Sequence, residues 1–321
     1  MIAILTSGGD APGMNAAIRA VVRSAQDAGH HVLGVPNGYA GLMEGNYLHL
    51  GQRSVDGIMY RGGTMLGSAR SVEFKTKAGR QKALANLHAA GATALVVVGG
   101  NGSQTGAYAL EQMGFPVVGI ASTIDNDLLG TDVTLGVDTA INIAVEAIDR
   151  LQTTAGSHRR AFLVEVMGRD CGYLALQAAI AGGAEAVAIP EVETHPERIE
   201  ATLRQAHERG RRGGIVVVAE GAKYNAEALA AWFKADGAQL GYELRTITLG
   251  HVQRGGTPTA ADRVLGSRLG AEAVRVLLEG QSGVLVGIQS GSLCTTPLGD
   301  IAGKTKTPDL SLLALAEALA L

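Results

Sequence analysis

The chain has 321 residues, is 46% hydrophobic and carries a formal net charge of −3. This length fits two domains with a buried core in each, and the slightly acidic balance excludes a global basic field for nucleic acid or an anionic membrane, so any phosphate binding is local. Forty-five glycines against four Phe and one Trp point to tight turns and close backbone approaches.

Met1 to Leu5 is an apolar run that meets Gly8 and Gly9 at once, which predicts a first strand, Ile2 to Leu5, rather than a signal segment. It runs into Thr6-Ser7-Gly8-Gly9-Asp10-Ala11-Pro12-Gly13-Met14-Asn15 and a helix carrying Ala16, Ile18, Val21 and Val22. A glycine loop at a helix N-terminus offers unpaired N–H groups and the positive end of the helix dipole to a phosphate. The spacing matches neither the P-loop nor the dinucleotide fingerprint. Arg19 and Arg23 lie four apart on one face of this helix, like-charged neighbours that are mildly unfavourable unless an anion sits between them. A second strand is expected around His31 to Val35. It is followed by Arg61-Gly62-Gly63-Thr64-Met65-Leu66-Gly67-Ser68-Ala69-Arg70, where small residues let the backbone approach a polyphosphate and arginines neutralise it. Residues 76–90 read as a helix. Thr93 to Val98 reads as a buried strand opening into Gly99-Gly100-Asn101-Gly102-Ser103, with Ser103 expected to cap the next helix.

Pro116 to Ile120 is short, apolar and β-branched, the pattern of an interior parallel strand. Ala121-Ser122-Thr123-Ile124-Asp125-Asn126-Asp127 leaves its carboxyl end with two carboxylates two residues apart, where open α/β sheets bind ligands. An Asx-rich turn is the plain structural reading of the same residues. Asp138 to Leu151 has helical spacing and is expected to link two domains. Ala161 to Val166, the turn Met167-Gly168-Arg169-Asp170-Cys171-Gly172, an alanine-rich helix and a strand at Ala186 to Ile189 restart the α/β alternation. A helix at Glu197 to His207 precedes the basic turn Arg209-Gly210-Arg211-Arg212. A strand at Ile215 to Val218 ends in Ala219-Glu220-Gly221, and the amphipathic segment 225–235 follows. Leu244 to Leu249 opens into Gly250-His251-Val252-Gln253-Arg254-Gly255-Gly256-Thr257-Pro258, where His251 and Arg254 could clamp one phosphate. A helix at 261–279, a strand at 283–288 and a leucine-rich terminal helix complete the chain. Cys171 and Cys294 are too few for a disulfide framework and lack metal-ligand spacing, so a reducing cytoplasm is expected.

Together, Thr6 to Asn15, Gly99 to Ser103, Thr123 to Asp127, Met167-Gly168-Arg169 and Gly250 to Gly256 resemble the bacterial ATP-dependent 6-phosphofructokinases, in family order over essentially the whole chain. The resemblance implies two Rossmann-like three-layer α/β/α domains with mostly parallel sheets. Residues 1–138 plus about 252–300 would bind nucleotide, and 139–251 plus about 301–321 would bind sugar phosphate. It further implies transfer of the γ-phosphoryl group of ATP to the 1-hydroxyl of fructose 6-phosphate, with Mg2+, in a cytoplasmic homotetramer. Carried over by position, Asp125 matches the base, Thr123 and Asp127 its neighbours, and Arg169 a residue that steadies the transferring group. Gly8, Arg70, Ser71, Gly100, Asn101, Gly102 and Ser103 match the nucleotide site. Met167, Gly168, Glu220, His251 and Arg254 match sugar-phosphate contacts within one subunit, and Arg160 and Arg245 arginines that reach a neighbouring subunit's 6-phosphate. Arg19, Arg23, Glu185, Arg209 and Arg211 match an effector site for ADP or phosphoenolpyruvate.

The sequence departs from the family pattern at particular places. Asn101 stands where ATP-using members have a metal-holding aspartate, so weaker magnesium binding is expected. Ser122 is glycine in ATP-dependent members and lysine in pyrophosphate-dependent ones. Ser71 replaces an aromatic residue of some relatives. Gln52 and Gln152 stand at arginines of the effector site, so weak or absent allosteric control is expected. Two other readings remain open: a catalytically weakened sugar-phosphate-binding regulatory subunit, and a kinase of the same fold using pyrophosphate or another phosphorylated sugar.

Overall fold

A computed structural model describes residues 1–236 and 240–320. The chain forms two compact units, Met1–Asp138 with Arg254–Lys306 and Thr139–Gln253 with Thr307–Leu321.

The first unit contains β1 (Ile2–Thr6), α1 (Met14–Asp27), β2 (Val32–Val35), α2 (Gly38–Glu44), β3 (Leu48–Leu50), α3 (Lys77–Ala89), β4 (Ala94–Gly99), α4 (Asn101–Glu111) and β5 (Val117–Ala121). The second is entered through α5 (Val137–His158) and holds β6 (Arg160–Val166), α6 (Tyr173–Gly182), β7 (Ala186–Ala188), α7 (Pro196–Glu208), β8 (Gly214–Ala219), α8 (Ala226–Asp236) and β9 (Glu243–Thr248). The chain returns to the first unit for α9 (Ala260–Leu278), β10 (Val284–Gln289), β11 (Ser292–Pro297) and α10 (Leu298–Ile301), and closes in the second with α11 (Ser311–Leu319).

Among the described residues the first sheet has the order β11-β10-β5-β4-β1-β2-β3. β1, β4 and β5 are buried along their whole length, which is why their sequences are unbroken apolar runs. They pair in parallel, and only β3 and β11 at the margins run antiparallel. The chain moves from β1 to β2 on one side and then to β4 on the other, so the order reverses between β1 and β4. That is where such sheets open a crevice at their carboxyl ends. Helix α9 lies close on α1: a Cβ on Gly270 would stand 2.5 Å from Ala17 O, and one on Gly266 2.8 Å from Gly13 O. Small residues at these crossings hold the start of α1 firmly beneath the glycine loop.

The second sheet is parallel throughout, in the order β7-β8-β6-β9. Its core joins Ile148 of α5, Leu163 and Val164 of β6, Leu176 of α6, Leu203 of α7 and Val216 of β8, with Leu312 and Leu313 of α11 packed against them.

Most expected elements form within a residue or two of their expected limits. Helix α5 runs two turns past Leu151, because Gln152 donates to Gly182 O and Ala155 is buried beneath Gly213. Four elements have no counterpart in the sequence reading, one of them the single-turn helix α10. Helix α2 and strand β3 are too short to show a period. Strand β11 is half buried without alternation and pairs with β10 through the two-residue turn Ser290-Gly291, both at positive φ as a hairpin turn of this size requires.

Candidate active site

In the first unit β5, β4 and β1 are adjacent and parallel, so their carboxyl ends bring the Gly8 loop, the start of α4 and the acidic stretch side by side. Gly100 is extended and serves as N-cap of α4, so the helix begins at Asn101. Ser103 is therefore not the cap expected from sequence. It lies within the first turn, buried, and its Oγ is 3.2 Å from where a Cβ on Gly8 would stand. Gly102 is exposed and faces open space. These positions leave room for a group that sits on backbone amides.

The 61–70 loop is fastened to this edge by the buried side chains of Asn15 and Thr6 and by half-buried Ser68. Asn15 accepts from Met65 N at 2.7 Å and donates to Arg61 O at 3.1 Å. Thr6 Oγ1 donates to Gly67 O at 2.8 Å, and Ser68 Oγ donates to Gly8 O at 2.6 Å. Tyr39, stacked on Phe74 with ring centroids 4.0 Å apart, donates its hydroxyl to Ser103 O. Burial with no compensating charge pushes the Tyr39 phenol far above its ordinary range, so it remains a donor at every physiological pH. Arg70 is exposed. The Ser71 hydroxyl accepts from Phe74 N at 3.2 Å.

The acidic stretch is a tightly bonded loop. Asp125 is 5% exposed, and its N–H donates to Thr123 Oγ1 at 3.2 Å. Asn126 adopts the left-handed conformation (φ 53°), tolerated because its buried carboxamide bonds back into the loop. Asn126 Oδ1 accepts from Thr134 N at 3.0 Å and Asn126 Nδ2 donates to Asp132 O at 3.2 Å. Asp127 O accepts from Asn101 Nδ2 at 3.2 Å and from Lys306 N at 2.7 Å. Asn101 Oδ1 is buried and has no hydrogen-bond partner among the described residues. An amide oxygen of this kind is a ligand type that Mg2+ accepts when substrate phosphates and water supply most of its shell. Among the described residues no group of three or more His, Cys, Asp or Glu is placed to hold a metal ion.

In the second unit the turn after β6 is held by acceptors from elsewhere. Glu220 Oε1 accepts from Arg169 N at 2.9 Å and Gly168 N at 3.3 Å, and Gln253 Oε1 accepts from Met167 N at 2.8 Å. Met167 is buried, whereas Arg169, left-handed at φ 52°, is exposed. Arg160 and Arg245 both engage Glu243: Arg160 Nε lies 2.8 Å from Glu243 Oε2, and Arg245 Nη2 pairs with Oε1. The parallel register sets Arg160 opposite Glu243 and Phe162 opposite Arg245. Glu243 is the participant that sequence reasoning missed; an acid two residues before an arginine on an edge strand carries no distinctive signal. His251 is exposed. Arg254 is held by the glycine loop: its Nη1 donates to Asp10 O at 3.2 Å, and a Cβ on Gly9 would stand 1.8 Å from that nitrogen. The bond to Asp10 O is an interaction no local pattern announced, and it uses one of the five guanidinium donors that a phosphate clamp would draw on.

The basic clusters divide between the units. Arg19 is half buried on α1, and Arg23 pairs with Asp56 of another segment at 2.7 Å. In the second unit a cavity of about 280 Å³ is lined by Thr202, Gln205, Arg209 and Arg211. Glu185 is buried and its Oε2 accepts from Ile215 N at 2.6 Å. Burial pushes the Glu185 carboxyl above its ordinary range, opposed by hydrogen bonds from the Ile215 and Glu185 N–H groups and by the Arg211 charge.

Glycine loops, an acidic turn and arginines at the carboxyl ends of parallel strands define a two-unit α/β protein with the features of phosphoryl-group chemistry. The phosphofructokinase family model matches residues 1–277, and the chain belongs to that family. It is 52% identical over 321 residues to ATP-dependent 6-phosphofructokinase 1 of Thermus thermophilus, covering 100% of this chain and 99% of the relative. Against the ATP-dependent 6-phosphofructokinase of Bacillus subtilis it is 48% identical over 320 residues, with the same coverage. Among solved structures, Pichia pastoris phosphofructokinase in the T-state matches with a TM-score of 0.88 at 38% identity over 94% of this chain, which spans 35% of the Pichia chain. A pyrophosphate-dependent phosphofructokinase from Marinobacter aquaeolei shares the fold, with a TM-score of 0.84 at 24% identity over 97% of this chain and 86% of its own.

Proposed function

We propose that the protein transfers the γ-phosphoryl group of ATP to the 1-hydroxyl of fructose 6-phosphate, giving fructose 1,6-bisphosphate and ADP. The observation that carries this reading is full-length similarity, at about half identity, to enzymes of that name. Its structural support is the acidic loop beside two glycine loops at one sheet edge.

In this reading Asp125 takes the proton of the attacking hydroxyl, a contribution of roughly 10²- to 10⁴-fold in rate. Thr123 and Asp127 fix its orientation, and Arg169 offsets charge on the transferring group. Gly8, Arg70, Ser71 and Gly100 to Ser103 take the nucleotide. Asn101 Oδ1 and the Asp127 carboxylate would hold Mg2+, which when bound neutralises phosphate charge. Met167, Gly168, Glu220, His251 and Arg254 face the sugar phosphate, and Arg160 and Arg245 serve a neighbouring subunit of a homotetramer. Arg19, Arg23, Glu185, Arg209 and Arg211 form an effector site for ADP or phosphoenolpyruvate, weakened by Gln52 and Gln152. Ser122, buried and neutral, favours ATP over pyrophosphate. Among the described residues no helix is long and apolar enough to cross a membrane, and we place the enzyme in the cytoplasm.

The test is a coupled assay with fructose 6-phosphate, comparing ATP with pyrophosphate across magnesium concentrations. Turnover with ATP is expected; turnover with pyrophosphate alone, or with neither donor, rejects the reading.

A further inference from the structure

The last residue of the first unit before the chain passes into the second is Lys306. In sequence it is an ordinary lysine in the polar run Gly303-Lys304-Thr305-Lys306-Thr307, which reads as solvated. In the fold it is half buried against the back of the acidic loop. Its ammonium donates to Thr131 O at 2.8 Å, Asp132 O at 3.0 Å and Asn126 Oδ1 at 3.3 Å. Its own N–H donates to Asp127 O. One residue thus bonds to both halves of the loop, at the left-handed pivot Asn126 and at the 131–132 turn that Asn126 also grips.

We propose that Lys306 is a positioning residue for phosphoryl transfer: its three ammonium bonds hold the loop so that Asp125 and Asp127 keep the geometry the reaction needs. This rests on the kinase reading above. The physical reason is that a loop with a non-glycine residue in the left-handed region keeps that conformation only when surrounding bonds over-determine it. An ammonium has three donors to spend on three oxygens, and with all three occupied the side chain is a rigid strut. Displacing reacting groups by about 1 Å costs on the order of 100-fold in rate, so a residue that never touches substrate can govern kcat.

The experiment compares Lys306→Met, which keeps the apolar stem and loses every donor, with Lys306→Arg, which restores a cation with several donors. Two readouts are taken on the full chain: amide hydrogen exchange over residues 122–135, and kcat with KM for both substrates. In Lys306→Met the loop amides exchange about five- to tenfold faster while α1 and β4 do not change. Its kcat falls about 10- to 100-fold, with each KM within about threefold of the parent. Lys306→Arg recovers most of both losses. Unchanged exchange overturns the proposal, as does faster exchange with unchanged kcat in an active enzyme. Faster exchange spread over the whole unit also overturns it, since that marks a merely structural role. If the parent chain shows no turnover with ATP yet Lys306→Met loosens this loop alone, the anchor stands and the kinase reading is what fails. Should Lys306→Met not fold, Lys306→Gln against Lys306→Arg makes the same comparison.

Discussion

The loop after β5 and the turn after β6 solve one problem in opposite ways. Each follows an interior parallel strand and each turns on a non-glycine residue with positive φ, Asn126 at 53° and Arg169 at 52°. Such a conformation costs roughly 1–2 kcal/mol per residue. Asn126 offsets the cost itself, because its buried side chain closes the loop through Thr134 N and Asp132 O. Arg169 is supported through its backbone: its N–H donates to the carboxylate of Glu220, 51 residues away in sequence, while the arginine side chain stays exposed. In the first case the strained residue makes supporting side-chain bonds of its own, and Lys306 braces the same loop. In the second, support reaches the strained residue's backbone from a distant carboxylate.

The largest effect expected in either region is at Asp125. Asp125→Ala lowers kcat by roughly 10²- to 10⁴-fold, while calorimetric titration still detects fructose 6-phosphate binding; loss of binding instead of turnover would move Asp125 out of the base role. Next comes Glu220→Ala, which strips the support from the Arg169 turn. Charge-assisted hydrogen bonds are worth about 1.5–3 kcal/mol, so KM for fructose 6-phosphate rises about 10- to 100-fold with a smaller change in kcat.

The comparison itself is tested by glycine at the two strained positions. Asn126→Gly keeps the permitted φ but deletes the side-chain bonds and lowers stability by about 1–2 kcal/mol. Arg169→Gly keeps the N–H that Glu220 holds and relieves the backbone, so it lowers the melting temperature less than Asn126→Gly does. An equal or larger loss for Arg169→Gly would show that the two turns are not built differently.

The smallest effect concerns Glu185. Its carboxyl titrates above the ordinary value when folded, chiefly through burial, so the folded state holds the proton more tightly than the unfolded chain does. Stability is then greatest at low pH and is lost as pH rises from the ordinary carboxylate value through the folded one. Glu185→Gln carries no charge and retains an acceptor for Ile215 N–H. Its melting temperature, compared with the parent, is expected to improve as pH is raised from about 4 to about 7 and then level off. An advantage that shrinks with rising pH would reverse the assignment.

Much of the architecture was legible in the residues. Buried parallel strands have apolar neighbours on both faces, so Ile2 to Thr6, Ala94 to Gly99, Val117 to Ala121 and Gly214 to Ala219 read as continuous apolar runs. The glycine loops were legible because few other residues permit such close approach. Ser103 as a cap was misleading, because Gly100 already supplied the extended residue from which α4 starts.

What the sequence by itself determined is the set of interior strands, the helices between them, the family and the segments that carry chemistry. Each is encoded by neighbours along the chain, through burial period and turn chemistry. Only the tertiary structure decided how those segments are held. Lys306 meets Asn126 across 180 residues, Arg254 meets Asp10 across 244, and Glu243 meets Arg160 across 83. A hydrogen bond specifies a donor, an acceptor and a distance in space, and no local pattern of residue types records where a distant partner will stand.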